Sequence, residues 1–195
     1  MGRWVESNAG ALHYVDEQIL NEKFIRIHPA GEALHVADFG CGVGASLFYL
    51  ADNTNLPFTG VGLTISPVQA KFGQEGAQRR ELNTKCSFIL GDFLAPPSTK
   101  AFDLVFSIES FAHTSQPEAN FRAASQTLKP GGRQVICDDF RTDTGEQGAL
   151  GSHKMDMLEA YQWGWGVPGV WTTGHVVNLA EQVGLQLTRD RDLTP

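Results

Sequence analysis

Apolar positions along this chain fall into two alternating rhythms. Leu34 to Phe39, Phe58 to Leu63, Cys86 to Leu90, Phe102 to Ile108 and Arg133 to Cys137 are short runs dominated by apolar residues, which predict five strands. Between them, Ala45 to Ala51, Pro67 to about Leu82 and Pro117 to Leu128 have helical spacing. Ser66 and Pro67 form an N-cap and first-turn pair for the second of these helices, and Lys129-Pro130-Gly131-Gly132 stops the third. Ahead of the first strand, residues 9 to 27 carry Leu12, Val15, Ile19, Leu20, Phe24 and Ile27 on a helical period, closed by Pro29 and Gly31. Beyond Arg141 the pattern predicts a helix over Met155 to Tyr161, a loop at WGWGVPGVW, a helix over Thr172 to Val183 and a sixth strand at Leu185 to Thr188.

Strand runs that are continuous rather than alternating belong to a sheet buried on both faces, and helices between them make it parallel. The expected fold is therefore α/β: a doubly wound, mostly parallel sheet with helices on both faces. One domain of 1–195 is expected, with an N-terminal helical segment at 1–31, a core at 34–140, a cover at 141–171 and a last helix and strand at 172–190. Such sheets bind ligands beyond the C-terminal ends of their strands. Attention falls on Asp38 to Gly44, Thr64 to Gln69, Gly91 to Phe93, Glu109 to His113 and Asp138 to Phe140.

Composition narrows the class further. With 195 residues, 42% hydrophobic and 19% charged, the chain reads as an ordinary globular protein. No apolar run approaches the roughly 20 residues of a membrane helix, so no membrane partner is expected. The opening MGRWVESNAG has no basic segment followed by an apolar one, which makes the cytoplasm the expected compartment. A net charge of −7 opposes a phosphate backbone, excluding nucleic acid as a partner. Cys41, Cys86 and Cys137 are widely spaced inside apolar runs, as buried reduced thiols rather than a disulfide framework, and no compact ligand spacing calls for a metal.

The candidate chemistry starts at VADFGCGVGASL, where a strand passes through three glycines into a helix. That arrangement brings bare backbone N–H groups and the positive helix end against a ligand. Gly40-Cys41-Gly42-Val43-Gly44-Ala45 satisfies both the GxGxG spacing of methyl-donor sites and the dinucleotide fingerprint. The dinucleotide reading needs an acid at the end of the second strand, where this chain has Gly62-Leu63-Thr64.

With DFGCGVG, GLTISPVQ, GDF, FDLVFSIESFAHT and LKPGG in that order, residues 34 to 190 resemble the class I S-adenosylmethionine-dependent methyltransferases. The neutral GLTISPVQ is similar to the branch of tocopherol C-methyltransferases, cyclopropane fatty acid synthases and natural-product O-methyltransferases. The resemblance implies a Rossmann-like methyltransferase fold with S-adenosylmethionine as cofactor. In it Asp38, Gly40, Gly42 and Gly44 would lie at the methionine part, Thr64, Ser66 and Gln69 at the ribose, and Gly91, Asp92 and Phe93 at the adenine.

Methyl transfer is a direct displacement, in which holding the reactants in line supplies most of the rate gain, with a base useful where a proton must leave. Glu109 and His113 follow the fourth strand, where the methyl group should emerge, so His113 is the candidate base and Glu109 lines the cofactor or acceptor. Asp139 joins them as a candidate; because neighbours on a strand face opposite ways, only one of Asp138 and Asp139 should face the site. Tyr161, Trp163, Trp165 and Trp171 suit a flat, apolar acceptor. The expected function is methyl transfer to a small molecule, oxygen ahead of carbon. The family usually continues into a seventh strand, so this sheet is expected to lack its last strand. The short termini leave open a homo-oligomer or a non-catalytic cofactor-binding subunit, and the glycine spacing a nicotinamide-dependent reductase.

Overall fold

The structure is a computed structural model that describes residues 11, 13, 15, 32–54, 57–96, 99, 101–141 and 152–193. Five strands form one sheet: β1 (Leu34–Phe39), β2 (Phe58–Thr64), β3 (Cys86–Leu90), β4 (Phe102–Ile108) and β5 (Leu128–Cys137). Their order is β3-β2-β1-β4-β5 and every pairing is parallel. Helices α1 (Ala45–Asn53), α2 (Pro67–Arg79) and α3 (Pro117–Thr127) make the crossovers, and α4 (Ser152–Trp165) and α5 (Thr173–Gln182) follow β5. Residues 11, 13 and 15 are helical; the rest of the predicted N-terminal helix lies outside the described residues.

Both faces of the sheet are covered, which is why its central strands read as continuous apolar runs. Leu34 and Val36 of β1 pack with Leu47, Phe48 and Leu50 of α1 and Ala77 of α2, while Ala37 and Phe39 join Val105 and Ala124 of α3 on the other side. A third cluster, Phe111, Phe121, Val176 and Leu179, locks α5 onto α3. Asp103 is the charged exception low in the sheet, where Lys129 and the backbone N–H of His35 satisfy its carboxylate. With all strands parallel and the crossovers folded back, the loops after β1, β2, β3 and β4 gather at one end.

Three expectations change. Lys129-Pro130-Gly131-Gly132 does not separate α3 from β5 but lies inside the strand, which begins at Leu128. Phe102 pairs with Leu128 and Leu104 with Arg133, so the extra residues bulge out, with Gly131 at φ 80. Next, α4 continues through Trp163-Gly164-Trp165 and ends at Gly166, φ 64, so the first third of the expected aromatic loop is helix.

Among the described residues there is no sixth strand. After Gly184 the backbone N–H of Leu185 bonds back to Ala180, and the Leu185 side chain packs with the α3 and α5 clusters instead of joining the sheet. A cavity of about 620 Å³ is lined by both β5 and the Leu185–Asp190 segment.

Gly44 joins the sheet's edge to the site. It caps α1 at φ 89, and a Cβ there would stand 2.3 Å from Cζ of Phe88 on β3. Gly44→Ala therefore combines a strained backbone with a ring clash and should cost about 2–4 kcal/mol in chemical denaturation. A loss below about 1 kcal/mol would show that Phe88 is not held against the turn.

Candidate functional site

The turn from β1 into α1 is built around Asp38 and three glycines. β1 carries Asp38 next to its end, and the chain then turns through Gly40, Gly42 and Gly44, all at positive φ, into α1. Gly40 and Gly44 are required by packing. A Cβ on Gly40 would sit 2.4 Å from that of Ser110, whose hydroxyl donates to the Phe39 carbonyl at 2.5 Å and so ties the turn after β4 to the end of β1. Gly42 differs: at φ 55 a Cβ would meet nothing within 4 Å, so this stretch of backbone opens onto unfilled space.

Asp38 is buried, bonded to Ser46 at the start of α1, and its Oδ2 has no partner among the described residues. Burial pushes its carboxyl up to about 7, with the Ser46 bond opposing. An unpaired buried acceptor calls for a donor, and the α-ammonium of S-adenosylmethionine has the complementary charge. The residues present fit that group.

At the end of β2 the Thr64 hydroxyl donates to Gln69 Oε1 at 2.7 Å, leaving the Gln69 amide NH2 as a donor at the strand end. Ser66 is occupied as the cap of α2, its hydroxyl accepting from the Gln69 backbone N–H at 3.3 Å. The neutral Thr64–Gln69 pair stands where a dinucleotide site would have its acid. After β3, Gly91 donates its N–H to the Thr64 carbonyl at 2.9 Å, and Asp92 accepts from the Leu94 N–H through Oδ1, leaving Oδ2. Phe93 stacks on Phe39, centroids 5.9 Å apart and planes 12° from parallel, so one face of its ring is already committed to the core. Ile65, 76% exposed beside Thr64, is a rim residue that apolar periodicity alone could not distinguish from core.

The ends of β4 and β5, with α4, gather four acidic or phenolic groups. Glu109, just past β4, is one of two described non-glycine residues at positive φ, at 53°, with its N–H bonded to the Cys137 carbonyl. Partial burial and the neighbouring Asp138 and Asp139 push its carboxyl up to about 6. Asp138 accepts from the Ala112 N–H at 3.1 Å and so anchors the short 3-10 turn Phe111–His113. His113 is exposed at the end of that turn.

Asp139 accepts from the Tyr161 hydroxyl at 2.5 Å, and burial, that bond and the charges of Asp139, Asp138 and Glu109 all raise the Tyr161 phenol. The expectation that only one of Asp138 and Asp139 faces the site assumed that both lie in the strand, whereas β5 ends at Cys137. Beyond a strand the two-residue alternation no longer applies. Trp163 and Trp165 are 89% and 68% exposed on α4, whereas Trp171 stacks on His175 and packs against the α3–α5 cluster, away from the expected aromatic group. All three cysteines are buried and free.

Ser110 lies in the Glu109 to His113 stretch singled out in the sequence but without a role there, while Ser46 and Phe88 were not foreseeable as site supports, since a single serine and a strand phenylalanine carry no local signature. Among the described residues no group of three or more His, Cys, Asp and Glu is placed to hold a metal, and no helix is long and apolar enough to cross a membrane.

Comparison with known proteins agrees with this geometry. The methyltransferase domain family matches residues 30–182. A tocopherol O-methyltransferase of Arabidopsis thaliana is 33% identical over 154 residues, 77% of this chain and 43% of its own length. A 24-methylenesterol C-methyltransferase of Oryza sativa is 24% identical over 190 residues, 94% of this chain and 50% of its own. In structure, the geranyl diphosphate C-methyltransferase of Streptomyces coelicolor, solved with S-adenosyl-L-homocysteine, superposes with a TM-score of 0.67 at 20% identity, over 82% of this chain and 55% of that one. The chain spans about half the length of the relatives it matches. From the glycine turn to the ends of β4 and β5, the chain belongs to the class I S-adenosylmethionine-dependent methyltransferase family.

Proposed function

We propose that this chain binds S-adenosylmethionine in the crevice over β1 and β2 and transfers its methyl group to a hydroxyl of a small molecule held between α4 and the ends of β4 and β5. The observation that carries this is the enclosed Asp38 carboxylate, whose second oxygen lacks a partner among the described residues, at the end of the strand that leads into the open backbone at Gly42. Asp38 receives the ammonium of the amino-acid tail, Thr64 and Gln69 the ribose hydroxyls, and Asp92 Oδ2 the adenine amino group. The bound cofactor supplies an electrophilic methyl on its sulfonium. The chain's part in catalysis is to align the acceptor with it and to take up a proton.

For a hydroxyl acceptor the proton goes to Glu109 or His113. Glu109, at about 6, is ionised at neutral pH yet more basic than an ordinary carboxylate. The acid-rich end of the site supports a second reading. Carboxylates there would stabilise positive charge developing on an alkene carbon, as a C-methyl acceptor requires, and the sterol relative is named for such a transfer.

Three outcomes follow. Calorimetric titration with S-adenosylhomocysteine should show binding, lost in Gly42→Trp while the fold is retained by circular dichroism. No heat with the intact protein contradicts the reading. Because Asp38 has a raised folded pKa, it is neutral below about 7 and a carboxylate above it. Affinity should therefore rise with pH up to about 7, by as much as tenfold per unit, and level off above, a dependence that Asp38→Asn abolishes. A pH-independent affinity would remove the ammonium from Asp38.

Incubation with methyl-labelled S-adenosylmethionine and separate phenolic and sterol panels tests the acceptor atom. Label on a phenolic oxygen supports the first reading, label on carbon the second, and bound donor without transfer a non-catalytic binding module. With a phenolic acceptor, Glu109→Gln or His113→Ala should lower turnover about 10²–10⁴-fold while leaving donor affinity unchanged. Whichever variant keeps parental turnover is not the base.

A further inference from the structure

Helix α4 is unlike the other described helices. None of its residues from Met155 to Trp165 is buried, and its two faces do not segregate into apolar and polar sides. A helix whose apolar residues are spread round its surface, with Leu158 and Tyr161 only half-buried, draws less on the hydrophobic effect, so specific contacts weigh more in its placement. Asp156 and Glu159, acidic residues of α4, do not supply an ion pair to the sheet among those described. Among the described residues it makes a polar contact with the segment that follows β5. The Tyr161 hydroxyl donates to Asp139 Oδ2 at 2.5 Å, across 22 residues of sequence.

That point is also where Glu109 and Asp138 lie close enough to act on the phenol. Glu109 in turn feels both aspartates, while Asp138 is held by the Ala112 N–H of the turn that carries His113. Tyr161 therefore joins the cover to the groups proposed to receive the acceptor's proton.

We propose that Tyr161 is a positioning residue for methyl transfer. By donating its hydroxyl to Asp139 it fixes α4 over the ends of β4 and β5, and it keeps Asp139 from acting as the base, leaving that task to Glu109 or His113. The phenol withdraws charge from Asp139, so it also sets how strongly Asp139 acts on Glu109. Asp139 thus moves from candidate base to the anchor of the cover. This rests on the acceptor side assigned above, and its test does not depend on knowing the acceptor.

The test uses the full chain and two variants, Tyr161→Phe and Asp139→Asn, each checked by thermal melting. Hydrogen exchange of the α4 amides should quicken about tenfold in both, as for a helix freed from a polar tie. Carboxyl NMR should find Glu109 titrating near pH 6 in the parent. Its midpoint should rise in Tyr161→Phe, where Asp139 keeps its full charge, and fall in Asp139→Asn, where that charge is gone. A purely structural tie would not move the Glu109 midpoint in opposite directions.

Unchanged α4 exchange in both variants, or an unmoved Glu109 midpoint, overturns the assignment, and Asp139→Asn alone suffices should Tyr161→Phe fail to fold. S-adenosylhomocysteine binding should stay within about twofold of the parent in each variant, since neither residue belongs to the donor cradle. Absence of binding in the parent itself would overturn the donor reading while leaving the Tyr161 measurements intact.

Discussion

One buried carboxylate organises the end of β1 and the glycine turn that follows it. Asp38 is enclosed where β1 ends, bonded to Ser46, with its Oδ2 unpaired among the described residues. A buried charge without a partner is costly, and here the cost shows as a carboxyl held near neutrality. Much of the surrounding structure holds that group in place. Phe39 lies against Phe93, Ser110 pins the Phe39 carbonyl, and Gly40 is bare because Ser110 needs the room. Removing solvent from Asp38 makes its attraction for a cation stronger than it would be in water, which ties the energetics of the fold to ligand recognition.

The second half of the site obeys the opposite rule. Glu109, Asp138, Asp139 and Tyr161 stand at the open ends of β4 and β5, where charge is only partly desolvated and the backbone at Glu109 is strained into the left-handed region. Non-glycine residues are held in that region only when neighbours over-determine them, and here the Cys137 carbonyl does so. Across that end the Tyr161 hydroxyl of α4 bonds to Asp139, tying the helix to the segment that follows β5.

Much of this was legible in the amino-acid order. Five strands, their parallel arrangement and the gathering of site residues at strand ends follow from runs such as Val36 to Phe39 and Leu104 to Ile108, whose burial on both faces leaves no room for alternation. The failures share a physical origin, since each depended on contacts distant in sequence. Pro130 and Gly131 look like a loop but bulge out of β5 because Phe102 and Leu104 pair on either side of them. Leu185 and Leu187 look like a strand, yet Leu185 is claimed by α3 and α5. Gly44 carries the glycine fingerprint for a reason that lies on β3, in the Phe88 ring. The Tyr161–Asp139 bond joins residues whose intervening sequence carries no trace of it.

The most direct measurement of the central claim is a crystal structure with S-adenosylhomocysteine bound. The account places the ligand's amino nitrogen within hydrogen-bond distance of Asp38 Oδ2, with the amino-acid tail over Gly42 and the sulfur aimed toward Glu109. A tail oriented away from Asp38, or that oxygen satisfied by a water while the ligand lies elsewhere, would contradict it.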